Sequence, residues 1–233
     1  MLINNNEIFL QFELTPDFTN ELLSPHVEAA ADTVANLSQC AMRFARVERV
    51  PRYDTATREN DAEHSYMLAL VATELAAQYY PALDTGLVSQ FSIVHDLIEL
   101  ETGDVPTFAL DDKALAAKEL AEHTALSTLL PKLSAYTGKL LVRYESQTEP
   151  EAQFVRVVDK LLPIVVDIHG EGSMVLHEDY GVHTEAQFAA AEIKLNTQLQ
   201  TKFPQSDLAF IHAVRNVLAS RLAESYSANC QAC

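Results

Sequence analysis

The sequence predicts an all-α fold, a single helical bundle of about seven to nine helices. Only 6 of the 233 residues are glycine, and alanine and leucine, which favour helices, are frequent. Apolar residues recur at helical spacing, and no set of segments shows the alternation that strands require. The chain has the length of one large domain and 48% of its residues are hydrophobic, so a substantial core can form. We therefore expect one domain over residues 1–233.

The N-terminal half contains three predicted helices. Residues 1–25 are expected to be irregular because prolines interrupt them, and the first helix is predicted over 24–50, capped by Ser24. A polar loop at 51–60 precedes the second helix, 61–80, with Asn60 or Asp61 as its cap. The third helix, 84–101, should end at Gly103, because a glycine followed by Pro106 is a typical stop signal.

The C-terminal half contains the remaining helices. They are predicted at residues 110–131, 134–146, 149–170, 184–201 and 207–226. The helix over 149–170 contains Pro163, and we expect a kink there because proline lacks an N–H group and clashes with the preceding turn. The helices at 184–226 follow the segment 26–170, which carries the motifs described below.

Composition excludes several functions. The net charge of -17 argues against electrostatic binding to nucleic acid or to an anionic membrane. No uncharged stretch reaches the roughly 18 to 20 residues that a membrane span needs, and the N-terminus lacks the basic region of a signal peptide. The 3 cysteines are too few for a disulfide framework, and Cys230 and Cys233 form a lone CxxC. We expect a cytoplasmic protein.

Four residues form a candidate metal site. The third helix carries a His-Asp dyad, His95 and Asp96, and the second helix carries His64. Asp159 lies among valines and leucines on a later helix, so it starts near the core and needs a partner. Two imidazoles and two carboxylates suit a divalent transition metal, namely Mn, Fe, Co, Ni or Zn. They leave coordination positions open for water and substrate, as a catalytic site requires.

Three segments carry a more specific pattern. They read "VERVPR", "RENDAEHSYMLALVATELA" and "HDLIELETGDVPT", in this order. The order His, His-Asp, Asp resembles the signature of the HD-domain metal-dependent phosphohydrolases, and the three segments resemble their 5′-deoxynucleotidase branch. The resemblance covers about residues 36–170. It implies an HD domain that hydrolyses nucleoside 5′-monophosphates.

The resemblance also implies roles for individual residues. The metal ligands are His64, His95, Asp96 and Asp159. Glu99, one turn after His95, matches the glutamate proposed for proton transfer, and Asp104 matches an aspartate that positions water and phosphate. Arg49 matches an arginine near the phosphate or sugar. Arg52 and Thr107 are further candidates for substrate binding.

One position departs from the family pattern. In the bacterial nucleotidases a tryptophan follows the arginine that Arg49 matches, and it is implicated in sensing the missing 2′-hydroxyl. This chain has Val50 there and contains no tryptophan. Discrimination between deoxyribose and ribose is therefore left open, as are the base preference and the native metal.

Several alternatives also stay open. The chain could hydrolyse another small phosphate ester or a nucleotide pyrophosphate bond, or it could be a non-catalytic nucleotide-binding module. Members with two metals carry extra histidines between the dyad and the last aspartate, and only His123 lies there, so one metal is favoured. His169, His177 and His183 are interpreted as exposed loop histidines. The family resemblance suggests a homodimer with a small nucleotide as substrate.

Overall fold

The computed structural model describes residues 25–105, 108, 111–204 and 206–230, without the side chains of residues 112, 206 and 227–230. The expectation for residues 1–24 lies outside the described residues. The chain divides into two compact units, residues 1–40 and 41–233. In the first unit, the described residues belong to one helix. The second unit contains all other described elements, and the expectation of a single domain stays a prediction.

The described part of the chain is mainly helical. Its α-helices are α1 (Pro25–Phe44), α2 (Asp61–Tyr79), α3 (Thr85–Val94), α4 (Glu99–Thr102), α5 (Asp112–Leu129), α6 (Ala135–Ser146), α7 (Pro150–Asp159), α8 (Leu162–His169), α9 (Gly172–Met174), α10 (Glu185–Lys202) and α11 (Ala209–Cys230). Two 3₁₀ turns, Leu130–Lys132 and Ser206–Leu208, and a π-helical turn, Val175–Asp179, complete the helical segments. Nine of these α-helices have eight residues or more, which confirms the all-α class.

A small β-hairpin replaces the end of the first predicted helix and the loop after it. Strand β1 (Glu48–Arg52) pairs antiparallel with β2 (Arg58–Asn60), with an irregular register in β1. The prediction of a helix as far as residue 50 was therefore wrong beyond Phe44. The physical reason is local: Pro51 disfavours helical backbone at Val50, the residue before it, and valine favours strands.

The third predicted helix is interrupted at the His-Asp dyad. Helix α3 ends at Val94, and the next amides bond three residues back instead of four: Leu97 N to the Val94 carbonyl at 3.1 Å and Glu99 N to the Asp96 carbonyl at 2.9 Å. Helix α4 then ends at Gly103, whose φ of 69° is readily adopted only by glycine. The tightened turn changes the direction of the chain at the dyad.

The helix predicted over 149–170 is two helices rather than one kinked helix. Helix α7 ends at Asp159, and α8 begins at Leu162 with Pro163 in its first turn. This position suits proline because its missing N–H would have no partner inside the helix. The break places Asp159 at the C-terminal end of α7, where it is buried.

Helices α2, α3 and α7 pack together and form the core below the site. Leu68 and Ala72 of α2 are fully buried, as are Phe91 of α3 and Phe154 and Val158 of α7. On α2, His64 is four residues before Leu68, so it lies on the same buried face. None of the helices in the described part combines the length and apolar character that a bilayer crossing requires.

Candidate metal centre and substrate cavity

The position of His64 is set by the cap of α2. The Asn60 side chain accepts hydrogen bonds from the amides of Ala62 and Glu63, both at 3.1 Å. The Glu63 side chain in turn accepts from the Asn60 amide at 3.2 Å. This capping box satisfies otherwise unpaired amides of the first turn, and His64 is the next residue along the helix.

The structure brings the four expected ligands together. His64, His95, Asp96 and Asp159 are buried, and each offers a ligand atom within 4.8 Å of the others. His64 Nε2 lies 2.9 Å from Asp159 Oδ1, and His95 Nε2 lies 2.8 Å from Asp96 Oδ2. The cluster joins α2, the turn after α3 and the end of α7. Residues far apart in sequence thus form one compact set of nitrogen and oxygen donors.

The tautomer of His95 shows that this set fits a metal ion. His95 Nδ1 lies 2.9 Å from the Ser92 carbonyl, which can only accept, so Nδ1 carries the proton of the neutral ring. Nε2 then directs a lone pair toward the carboxylates of Asp96 and Asp159, and it has no hydrogen-bond partner. Lone pairs that converge in a buried site need a cation between them. A divalent transition metal bound by these four residues meets that need.

The charged side chains of the cluster shift one another's pKa values. Burial alone would lower the pKa of His95, but Asp96 and Asp159 together raise it to about 9. Without a metal ion Nε2 therefore carries a proton at neutral pH, and a metal ion would displace that proton and bind the lone pair. Burial would likewise raise the pKa of Asp96, but His95 and Arg49 hold it below its ordinary value. The pKa of Asp159 is lowered by Lys160, His64 and His95, which outweigh burial. Both aspartates are therefore carboxylates at neutral pH, the form that binds metal.

Arg49 lies beside the metal cluster and is buried. Its Nη1 donates to Asp96 Oδ2 at 2.8 Å and to Asp61 Oδ1 at 3.1 Å. Its Nε donates to Glu59 Oε2 at 3.2 Å, and Nη1 lies 3.7 Å from Glu99 Oε2. A guanidinium cannot lose its proton in a protein, so Arg49 places a permanent positive charge among these acids.

Glu99 has the protonation state that proton donation requires. Its side chain is buried, and burial, followed by the charges of Asp96 and Asp104, raises its pKa to about 11. Its Oε2 has no hydrogen-bond partner. Glu99 is therefore a neutral acid at pH 7, with a proton available to a group in the cavity.

A cavity of about 660 Å³ opens at the cluster. Arg49, Asp96, Glu99 and Asp104 form one part of its wall. The other lining residues include cationic side chains (Lys118, Arg156, Lys160), aromatic rings (Phe108, Tyr180, Phe188) and three further charged side chains (Asp167, Glu192, Arg215). The cavity has the size of those that hold drug-sized ligands, about 300 to 1,000 Å³.

The other expected substrate-binding residues are placed differently. Of the residues of β1, Arg49 and Pro51 line the cavity. Arg52 instead pairs with Asp179, with Nη2 3.1 Å from Oδ2. Val50 is half-buried, and its carbonyl accepts from Arg58 Nη1 at 2.9 Å. Thr107 lies outside the described residues.

Three further residues lie at the site that are not among the predicted site residues. Glu59 lies 3.4 Å from His64 Nδ1 and thereby orients that ring. Asp61 had been considered only as a helix cap, yet it is fully buried and bound to Arg49. Lys160 Nζ lies 2.8 Å from Asp159 Oδ2. Glu59 and Asp61 flank the helix cap Asn60, and Lys160 follows Asp159. Only the tertiary structure shows which groups their side chains contact.

The remaining histidines lie elsewhere. His169 ends α8 and is exposed, and His183 is exposed in the segment before α10. His177 differs from the expected loop histidine because it lies in the π-helical turn, with Nε2 2.8 Å from the Tyr226 hydroxyl. Cys233 and the side chain of Cys230 lie outside the described residues.

Comparison with known proteins finds a match to an HD-domain family and similarity to 5′-deoxynucleotidases. The model of a family described as "HD domain" matches residues 43–205. A 5′-deoxynucleotidase of Vibrio parahaemolyticus is 28% identical over 170 residues, which are 69% of this chain and 82% of that protein. A 5′-deoxynucleotidase of Danio rerio is 25% identical over 171 residues, 68% of this chain and 82% of that protein.

A solved structure has a similar fold. It is the crystal structure of a predicted metal-dependent phosphohydrolase from Magnetospirillum magnetotacticum, with a TM-score of 0.62 and 24% identity over 82% of this chain and 93% of that one. The matched segment 43–205 contains all four clustered ligands and more than half of the sequence. The chain therefore belongs to the HD domain family.

Proposed function

We propose that this enzyme is a 5′-nucleotidase that hydrolyses nucleoside or deoxynucleoside 5′-monophosphates to nucleoside and phosphate. The observation that carries the proposal is the placement of a neutral acid, Glu99, beside the metal cluster at a cavity of about 660 Å³. The likeness to two 5′-deoxynucleotidases supports the substrate class. A nucleoside monophosphate fits within such a volume with room for water.

The charges of the wall suit a phosphate group. Arg49 and Lys160 lie next to the cluster, and Lys118 and Arg156 also line the cavity. Phosphoryl transfer depends mainly on positioning and on neutralising charge. When bound by the four ligands, the metal ion supplies Lewis-acid activation of water and phosphate. The surrounding cations would then hold the phosphate oxygens in place.

Glu99 would act on the leaving group. Cleavage of the bond between phosphorus and the 5′-oxygen leaves negative charge on that oxygen, and protonation removes it. Because burial and the charge of Asp96 keep Glu99 protonated, its carboxyl can donate at neutral pH. Asp104 lines the same wall and would accept a hydrogen bond from the attacking water.

The experiment is a substrate panel with the purified protein in Mn²⁺, Co²⁺ or Zn²⁺. AMP, dAMP and the other monophosphates are compared with non-nucleotide phosphate esters and with nucleoside triphosphates. We expect inorganic phosphate from monophosphates and no pyrophosphate from triphosphates. Pyrophosphate release, or turnover of non-nucleotide esters alone, would replace the proposal with another phosphohydrolase. Binding without any turnover by the metal-loaded protein would identify a nucleotide-binding module.

A further inference from the structure

A second set of buried acids adjoins the metal cluster. Asp61, Asp96 and Glu99 each offer a carboxylate oxygen within 4.8 Å of the others. Asp96 belongs to both sets, so its carboxylate lies between them. Two donor sets that share a carboxylate can hold two neighbouring metal ions, because a carboxylate has two oxygens to offer.

The guanidinium of Arg49 lies at this second set. Its Nη1 is 2.8 Å from Asp96 Oδ2, 3.1 Å from Asp61 Oδ1 and 3.7 Å from Glu99 Oε2. One nitrogen atom thus approaches all three acids, as a bound cation would. The side chain comes from β1, and its aliphatic part is buried along with its charge.

The acids retain unused donor atoms. Asp61 Oδ2 and Glu99 Oε2 are buried and have no hydrogen-bond partner. Buried carboxylate oxygens without partners are costly, so Arg49 satisfies this set only in part. Arg49 thus pairs with these two buried acids incompletely: it bonds only one oxygen of Asp61 and lies 3.7 Å from Glu99 Oε2 without a hydrogen bond.

We propose that the guanidinium of Arg49 takes the place of a second metal ion, so that the chain binds one ion where its carboxylates could bind two. With Arg49 removed, the second site would have only oxygen donors, from Asp61, Asp96 and Glu99, and Glu99 would release its proton on binding the ion. Such a set suits hard cations such as Mn²⁺ and Mg²⁺, in contrast to the mixed nitrogen and oxygen set of the first site. The proposal does not depend on which phosphate ester the enzyme hydrolyses.

The test counts bound metal and needs no substrate. Wild type and Arg49→Gln are equilibrated with Mn²⁺ by dialysis, and the manganese per chain is measured by elemental analysis. We expect one Mn²⁺ in wild type and two in Arg49→Gln. Because Asp96 would bridge the two ions, the electron paramagnetic resonance spectrum of Arg49→Gln should show exchange coupling that wild type lacks.

Two control variants test whether the second Mn²⁺ binds at the second set of acids. Arg52→Gln removes a nearby arginine of the same strand that pairs with Asp179, and it should still bind one Mn²⁺. Arg49→Gln combined with Asp61→Asn removes a ligand of the second site and should return the count to one. A second ion that persists in this double variant would place it elsewhere and overturn the proposal.

Two further results would also overturn it. One is a count of two in wild type, and the other is a count of one in folded Arg49→Gln at saturating Mn²⁺. Among the described residues, loss of Arg49 leaves the buried Glu59 with only His64 beside it, which could prevent folding. In that case Arg49→Gln with Glu59→Gln, refolded in Mn²⁺, replaces the single variant, and the same counts apply.

Discussion

His64 Nε2 lies 2.9 Å from Asp159 Oδ1, although 95 residues separate them in sequence. The contact joins the first turn of α2 to the last residue of α7. His64 and Asp159 are buried members of the set of four candidate metal ligands. A metal ion bound by this set would therefore couple its own binding to the packing of these two helices.

Replacing Asp159 should remove the metal. In Asp159→Asn an amide replaces a carboxylate ligand, and we expect metal affinity to fall at least about 100-fold. Mutating even a residue that only hydrogen-bonds to a metal ligand typically lowers metal affinity about 10- to 100-fold. The metal content after dialysis against a defined free Zn²⁺ concentration checks this. Asp167→Asn, another buried aspartate outside the cluster, should retain the metal. Equal metal content in Asp159→Asn and wild type would contradict the assigned ligand set.

Replacing Glu99 should separate metal binding from turnover. Glu99→Gln keeps the size and burial of the side chain but has no acidic proton to donate, so we expect kcat on the best nucleotide to fall about 10²- to 10⁴-fold. Elemental analysis should still find one metal ion per chain. The control is Glu101→Gln, because Glu101 pairs with Lys132 at 2.7 Å. Glu101→Gln should have wild-type kcat, and normal turnover by Glu99→Gln would exclude its role.

The carboxyl of Asp167 should make stability depend on pH. Burial, followed by the charges of Glu59, Asp179 and Glu192, raises the pKa of Asp167 from 3.8 to about 8. Between these values the folded state holds a proton that the unfolded state releases, so the contribution to the free energy of unfolding falls as pH rises to about 8. Above that pH the contribution is constant.

Denaturant unfolding of wild type and Asp167→Asn checks this contribution. From pH 6 to 8, wild-type stability should fall relative to the variant by about 2 to 3 kcal/mol, at about 1.4 kcal/mol per pH unit. The metal concentration is kept constant in both series. Parallel stability curves over this range would show that Asp167 is ionised in the folded protein.

The cap of α2 should contribute to stability. Asn60→Ala removes the side chain that accepts from the amides of Ala62 and Glu63, and we expect a loss of about 1 kcal/mol, within a range of 0.5 to 2. Because His64 lies one residue further, metal affinity should also weaken. Asp84→Ala removes the comparable cap of α3 and should cost similar stability with less effect on the metal. Identical metal affinity in Asn60→Ala and wild type would show that the cap does not position His64.

The close approach of α8 to β1 requires a glycine. A Cβ atom at Gly170 would lie 2.0 Å from the Arg52 carbonyl oxygen, and the Glu171 amide donates to the same oxygen at 3.1 Å. Gly170→Ala must move the backbone, at a cost of about 1 to 3 kcal/mol or more. At Gly138 in α6 a Cβ would meet the end of the flexible Leu130 side chain at 3.3 Å and Leu133 Cβ at an ordinary contact distance of 3.9 Å. Thermal unfolding should therefore show a clear loss for Gly170→Ala and little change for Gly138→Ala.

Most helices could be predicted from sequence because their apolar spacing and caps are local signals. Helix α2 is an example: it was predicted over 61–80 with Asn60 as a candidate cap, and it begins at Asp61 and ends at Tyr79 with Asn60 as its cap. The hairpin was missed because its strands have five and three residues, which is too few to show an alternating pattern among charged neighbours.

The clustering of the four candidate metal ligands could be predicted because residue types and their order carry that information. The surroundings could not, since the direction of a side chain such as Asp61 or Arg52 depends on contacts made across the fold. Arg52 shares a strand with Arg49, yet it pairs with Asp179, more than 120 residues later. The homodimer and the cytoplasmic location stay predictions.

The turn between β1 and β2 offers an optical probe of the site. Residues 53–57 are exposed, and the Asp54 side chain accepts from the amides of Ala56 and Thr57, both at 2.8 Å. The natural chain has no tryptophan, so Thr55→Trp would create a protein with one intrinsic fluorophore. That indole would lie a few residues along the chain from Arg49 and Glu59. Its emission could follow metal loading in real time, free of any background from other tryptophans.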